Sequence, residues 1–153
     1  HYTNMVAQLG IGAAVEVIPD DFEQLPARLA GAAMAVLPRT RCDGIPQKLL
    51  NYMAAGRAVI SSARSAKVME HERTGLVVPN GDVDAFAKAI LRIAGNPLYA
   101  HQLGAAAREH VAKNYSWEQA AERVELVYEA VIAARATRGP HQTKSAEPVD
   151  SST

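Results

Sequence analysis

Short apolar runs alternate with helix-patterned segments through the first two-thirds of this chain, and that alternation limits the fold more than any other feature. The runs are residues 15–18, Met34–Leu37, residues 58–60 and Leu76–Val78, and they stop at Pro19, Pro38, Ser61 and Pro79. Between them, residues 22–32 place Leu25 and Leu29 four apart on one helix face. Residues 45–55 carry Leu49, Leu50 and Met53 on one side, with Pro46 at the first helical position and Gly56 just past the end. Residues 66–72 read as a further short helix. Strand, helix, strand, helix with short connections is the pattern of a parallel α/β sheet. The run Met34–Leu37 is continuously apolar, which predicts a strand covered on both faces.

The last third is helical throughout. Asp82 is placed to cap a helix carrying Phe86, Ala89, Ile90 and Ile93, closed by Gly95. Asn96 and Pro97 form a cap followed by a first-turn proline, opening a helix to about Lys113. Ser116-Trp117-Glu118-Gln119 reads as a capping box for a third helix, with Val124, Val127, Tyr128 and Val131 as its core stripe and Trp117 as its packing anchor. Beyond about Arg138 the chain is almost free of apolar residues, so residues 139–153 read as a disordered tail. Residues 2–10 look like the end of a helix, and a parallel sheet that opens on a helix is expected to have its first strand upstream.

Composition closes off several function classes. Sixteen Lys and Arg balance 16 Asp and Glu, so the chain lacks the basic field that a nucleic-acid partner requires. Cys42 is the single cysteine, which excludes an internal disulfide framework and favours a reducing compartment. The five histidines have no ligand-like spacing, so no metal is expected. Aromatic residues are only 5% of the chain, so its core must come from Ala, Val, Leu and Ile. No apolar run approaches the roughly 20 residues that span a bilayer. The chain opens on His1 and shows no signal-peptide layout.

In an open α/β sheet ligands sit at the carboxyl ends of the strands. The loop after Met34–Leu37 combines Arg39, Arg41, Asp43 and Gly44, then runs into a helix N-terminus. Free N–H groups and the positive end of a helix dipole suit a phosphate, and Asp43 can accept hydrogen bonds from hydroxyls. Asp43 as a plain helix cap beside solvated arginines fits the same spacing. Asn51 lies eight residues after Asp43 on the polar side of the helix, very roughly 10 Å away at 1.5 Å per residue. A nucleoside diphosphate-sugar has hydroxyls at both ends and a pyrophosphate between them, which matches that layout.

The segment Asp43-Gly44-Ile45-Pro46-Gln47-Lys48-Leu49-Leu50-Asn51-Tyr52-Met53-Ala54-Ala55-Gly56-Arg57-Ala58-Val59 resembles the signature of the family 4 (group 1) retaining glycosyltransferases of the GT-B fold. Thr74-Gly75-Leu76-Val77-Val78-Pro79 with Gly81-Asp82, and Tyr115-Ser116-Trp117, resemble its later motifs in order and spacing. The resemblance implies a parallel-sheet, Rossmann-like half of a GT-B fold, incomplete at its N-terminus and followed by C-terminal helices. Residues 1–138 would be the C-terminal, donor-binding domain. Its implied activity is transfer of a glycosyl group from a nucleotide diphosphate-sugar with retention of configuration, and the chain alone would be inactive.

Carried over residue by residue, the resemblance gives Asp43 the donor-sugar hydroxyls and the catalytic acid's place. Gly44 and Ile45 would offer N–H groups to sugar or phosphate, Lys48 would reach the phosphates, and Asn51 would face the ribose. Ile18, Asp21 and Phe22 would lie beside the nucleobase. No cofactor or metal is implied; the nucleotide-sugar is a substrate. The implied partners are that nucleotide-sugar and an N-terminal Rossmann domain absent from this chain. A peripheral membrane contact would come through that missing half of an otherwise cytoplasmic protein.

The sequence also departs from the family pattern. Asp43 stands where Glu is usual, Asn51 where a second acid is usual, and Arg39 where Ser is common. Ala58 replaces a common Pro, and Ala63, Arg64 and Lys67 occupy a Gly-Gly-x-x-Glu stretch. Together these departures suggest a divergent subfamily, and Asn51, Lys67 and the expected missing upstream half favour the rival reading, a non-catalytic binding or interaction module that kept the fold. A receiver-like signalling domain fits poorly, because the strand ends carry prolines and serine instead of an acidic cluster.

Overall fold

In a computed structural model, residues 2–18 and 21–137 are described. The element order is α1 (Tyr2–Gln8), α2 (Leu25–Gly31), β1 (Met34–Leu37), α3 (Gln47–Ala54), β2 (Ala58–Ser62), β3 (Leu76–Val78), α4 (Val83–Ala94), α5 (Pro97–Asn114) and α6 (Trp117–Thr137). The three strands form one parallel sheet in the order β1-β2-β3, with Met34 opposite Ala58 and Ile60 opposite Leu76. The chain divides into two units, residues 1–112 and 113–153. The tail expected over residues 139–153 lies outside the described residues.

Within the first unit the middle strand β2 is buried at every position. Its apolar residues Ala58 and Ile60 pack with Leu76, Val78, Ile93 and Leu103, and the half-buried Phe86 and Ile90 close over them. Among the described residues the buried apolar core is aliphatic apart from Met53, with no aromatic side chain in it. This is what a chain so poor in aromatics had to build. At α3, Leu49 and Met53 are fully buried one helical turn apart, which fixes the face the helix turns inward.

The sequence places most elements correctly and misplaces some. Residues 15–18 form no strand; they pair with no other strand among the described residues, and Val15, Val17 and Ile18 are exposed. A strand exists only through its neighbour. In doubly wound sheets chain-consecutive strands are not adjacent everywhere, so an apolar run can precede β1 without pairing with it. β1 itself is not covered on both faces: Ala35 and Leu37 are buried while Val36 is exposed. Here it is an edge strand, with β2 on one side alone.

Residues 66–72 form consecutive turns instead of a helix. Ser65 N and Ala66 N both donate to Ser62 O, and Thr74 Oγ1 accepts from Glu70 N at 2.8 Å. A seven-residue helix has little to offset its nucleation, and here the Thr74 hydroxyl and short turn bonds offer the backbone other partners. Glu72 in that stretch takes a left-handed φ of 61°.

Helix ends follow the residue chemistry closely. Pro46 is the residue before α3, extended at ψ 124°, and its carbonyl accepts from Leu49 N and Leu50 N; the helix starts one position later than its sequence implied. At the other end Gly56 has φ 66°, Gly56 N donates to Met53 O and Arg57 N to Tyr52 O, the paired bonds of a Schellman turn. Asp82 Oδ1 accepts from Ala85 N at 2.8 Å and Asn96 Oδ1 from Tyr99 N at 3.0 Å, so both caps are in place. Removing the first by Asp82→Ala should cost about 1 kcal/mol of stability, read by urea unfolding; an unchanged midpoint would show that the cap contributes nothing.

In the second unit Ser116 Oγ accepts from Gln119 N at 3.2 Å and opens α6 as expected. The stripe Val124, Val127, Tyr128 and Val131 is exposed, and Trp117 is 88% exposed. Neither is core or anchor, because the described part of this unit offers α6 no element to bury them against. No described helix is long and apolar enough to cross a membrane.

Candidate functional site

The loop between β1 and α3 leaves the carboxyl edge of the sheet, where the topology places ligands. Residues 39–45 make no backbone–backbone hydrogen bonds among the described residues. Instead side chains tie down the carbonyls. Arg39 Nε donates to Arg41 O at 2.7 Å, Cys42 Sγ to Gly44 O at 3.0 Å, and Ser65 Oγ to Arg39 O at 2.5 Å. Three of the loop's carbonyls, those of Arg39, Arg41 and Gly44, are engaged in this way. The N–H groups of Gly44, Ile45, Gln47 and Lys48 have no partner among the described residues. They lie in sequence at and just before the first turn of α3, the positive end of its dipole.

Asp43 sits on this loop, exposed, with no hydrogen bond or ion pair to its carboxylate among the described residues. It does not cap α3, whose N-terminus has no side-chain cap. That removes the plain capping reading, which the spacing had left open. A carboxylate therefore stands beside unpaired amides, an arrangement with one acceptor group and several donors left for a ligand. Gly44 has nothing within 4 Å of where a Cβ would lie, so the loop is open on that side. Lys48 is exposed on the first turn of α3.

Further along α3, Asn51 is half-buried, and its Oδ1 accepts from Gln47 Nε2 at 3.3 Å. It lines a cavity of about 400 Å³ between α2 and α3, together with Phe22, Leu25 and Leu29. The structure thus brings together Asn51 and Phe22, which sequence spacing left about 30 residues apart. Phe22 is 78% exposed, so its ring lies open at this cavity. Asp21 is occupied locally: its Oδ1 accepts from Glu23 N at 3.0 Å and Gln24 N at 3.3 Å, turning the chain into α2. Ile18 is exposed and does not line the cavity.

Two features went unread in the sequence. Arg57 holds the ends of α2 and α3 together: Nη1 donates to Ala30 O and Ala32 O, and Nε to Ala55 O. A guanidinium at two helix C-termini also suits both dipoles. It was legible only as a variable position between Gly56 and Ala58. The second is an apolar cavity of about 280 Å³ lined by Pro38, Thr40, Ser62, Pro79, Phe86 and Ile90, at the carboxyl ends of all three strands. Only the folded sheet brings those loop residues together.

Electrostatic perturbation is concentrated elsewhere. Arg92 donates to Glu72 Oε1 at 2.5 Å, which holds the Glu72 carboxyl below its ordinary value and raises the guanidinium. This pair ties α4 to the connection between β2 and β3, and the Arg92–Tyr99 ring contact, 4.9 Å to the centroid, joins α4 to α5.

Residues 2–96, more than half of the chain, match the family Glycosyl transferases group 1. The chain belongs to this family. All of the candidate residues above lie inside the matched span. A GDP-mannose-dependent alpha-(1-6)-phosphatidylinositol monomannoside mannosyltransferase of Mycobacterium tuberculosis is 31% identical over 120 residues, 74% of this chain and 30% of that protein. The solved structure of sucrose-phosphate synthase from Thermosynechococcus elongatus superposes with a TM-score of 0.79 at 32% identity, over 87% of this chain and 34% of that one. Anabaena HepE, solved in complex with UDP-glucose, superposes with a TM-score of 0.77 over 84% of this chain and 36% of that one. At 12% identity that last likeness is one of fold. The chain spans 12% to 30% of the length of the first relatives it matches. Its parallel sheet and flanking helices are those of one part of a group 1 glycosyltransferase with the GT-B fold.

Proposed function

We propose that this segment is the donor-binding part of a group 1 glycosyltransferase that moves a sugar from a nucleoside diphosphate-sugar to an acceptor with retention of configuration. The observation that carries the reading is the unpartnered Asp43 carboxylate beside the free N–H groups of Gly44, Ile45, Gln47 and Lys48 at the start of α3. Asp43 accepts hydrogen bonds from donor-sugar hydroxyls. The amides receive the diphosphate, aided by the Lys48 ammonium. Backbone donors explain how a chain of zero net charge binds a polyanion. Asn51 faces the ribose, and Phe22 gives the base an open ring at the same cavity.

Support for a nucleotide ligand also comes from the neighbours, one of which was solved with UDP-glucose while a relative is named for GDP-mannose. They differ in base, so the base here is decided by residues around the α2–α3 cavity. No metal enters the scheme; the phosphate charge is met by amides, a helix end and Lys48. The acceptor side of the cleft is supplied from outside this segment, and the segment alone does not turn over.

The test is sugar transfer by the full-length protein carrying this segment, with a panel of nucleoside diphosphate-sugars. Transfer with inverted configuration would overturn the stereochemical part. Nucleotide binding without any transfer would favour the rival reading, a binding module that kept the fold. Absence of binding would overturn the site. A finer expectation concerns Asn51→Glu. An ionised acceptor is worth about 1.5–3 kcal/mol against about 0.5–1.5 for a neutral one, so nucleoside diphosphate affinity should rise about fivefold by calorimetry. Unchanged or weaker binding would remove Asn51 from the ribose.

A further inference from the structure

The loop that carries Asp43 and Gly44 needs something to hold it. Residues 39–45 have no backbone–backbone hydrogen bonds among the described residues, and two of their three side-chain bonds are local, each spanning two positions. Among the described residues, the one hydrogen bond that joins this stretch to another part of the fold comes from Ser65 Oγ, at 2.5 Å from Arg39 O. Ser65 is 0% exposed and lies on the connection between β2 and β3. Its own N–H donates to Ser62 O at 2.9 Å, so the hydroxyl is presented from a turn anchored to the end of the central strand.

Resting on the donor-site reading above, we propose that Ser65 is a positioning residue for the donor loop. The chain of contacts is continuous. Ser65 fixes the carbonyl of Arg39, the Arg39 side chain fixes the carbonyl of Arg41, and Cys42 fixes the carbonyl of Gly44. Three carbonyls in a six-residue stretch are thereby turned onto protein donors. The amides at Gly44 and Ile45, and the Asp43 carboxylate between these latches, keep one arrangement in the empty site. A ligand that finds its donors already ordered does not bear the ordering entropy of the loop on binding. Ser65 touches neither the amides nor Asp43, so its effect passes through loop order alone. It also gives Arg39 a role apart from phosphate: its Nε is committed to the loop.

The experiment is a comparison of the full-length wild type with Ser65→Ala, titrated with UDP, GDP and ADP, and followed by amide hydrogen exchange over residues 39–45 without ligand. The expected result is a rise of about tenfold in Kd for whichever nucleotide binds the wild type, with faster exchange across 39–45 and unchanged exchange in α5. Wild-type affinity together with wild-type exchange in Ser65→Ala overturns the proposal and leaves the donor site standing. Failure of the wild type to bind any of the three overturns the donor site, and this inference with it. Should Ser65→Ala not fold, Arg39→Lys carries the test: it keeps the positive charge and lacks the Nε–H. Faster exchange over 39–45 in the ligand-free protein supports the latch, and unchanged exchange overturns it.

Discussion

Asp43→Ala should lower kcat/KM for sugar transfer by the full-length protein about a hundredfold while leaving its melting temperature within about 2 °C of wild type. The two halves of this expectation have one cause. The carboxylate is exposed and makes no hydrogen bond or ion pair among the described residues, so folding loses nothing when it is removed. A ligand whose hydroxyls it accepts loses charge-assisted hydrogen bonds worth about 1.5–3 kcal/mol each, and tenfold in rate is about 1.4 kcal/mol. Asp43→Asn keeps the shape and discards the charge, and should fall about tenfold. Asp43→Glu restores the length usual at this family position and should retain transfer. Steady-state kinetics with saturating acceptor separates these cases. Full activity in Asp43→Ala would remove the residue from the site, and a large loss of melting temperature would mean that its role is structural.

The largest stability effect is expected at Gly104→Ala in α5. A Cβ there would lie 2.1 Å from Gly56 O, 2.8 Å from Gly56 C and 3.2 Å from Ala58 N. All three are backbone atoms of the turn that closes α3 and enters β2, so no side chain can swing aside. That turn is itself fixed, by the left-handed φ of 66° at Gly56 and the bonds to Tyr52 O and Met53 O. α5 must therefore retreat from the central strand and carry Leu103 and Ala107, both buried, away from the core. Overpacking of this kind costs about 3 kcal/mol, or about 10 °C in melting temperature for a chain of this size. Gly31→Ala is the control. Nothing lies within 4 Å of its Cβ position, so it should be neutral or slightly stabilising. Equal denaturant midpoints for the two variants would show that α5 does not rest on Gly56.

The same pair of glycines shows how far the sequence could be read. Gly56 was legible, because a helix pattern ended on it and a left-handed terminus favours glycine. Gly104 was not, because an isolated glycine inside a helix pattern carries no hint of which backbone approaches it. The caps at Asp82, Asn96 and Ser116 were legible for the same local reason, and each is made within three residues. The segment 66–72 is not a helix because its backbone bonds close short turns, as Met69 N does to Ala66 O and Glu72 N to Gly75 O, and the buried Thr74 hydroxyl takes Glu70 N, choices that packing decides. In the candidate site, the run from Asp43 to Lys48 was readable as a contiguous motif. The family resemblance had set Phe22 and Asn51 on one nucleotide, and the shared cavity agrees with that, whereas the reach of Arg57 to α2 and the bond from Ser65 were invisible, since each joins residues 25 or more apart.

The sequence by itself determined a parallel α/β sheet with aliphatic core strands, the capped ends of α4, α5 and α6 and the glycine end of α3, and the resemblance to a glycosyltransferase family through a contiguous motif. These rest on interactions between residues a few positions apart, where the chain's connectivity already brings the partners together. Only the tertiary structure decided which apolar runs became strands, which faces were buried, and what Asp43 was free to do. Among the described residues, residues 15–18 had the composition of a strand and no neighbour; Met34–Leu37 paired with β2 but was covered on one face, which left Val36 exposed on the other. A carboxylate before a helix is a cap or a ligand group according to whether it bonds the first amides, and here α3 has no side-chain cap, while a serine 26 residues beyond Arg39 holds that residue's carbonyl.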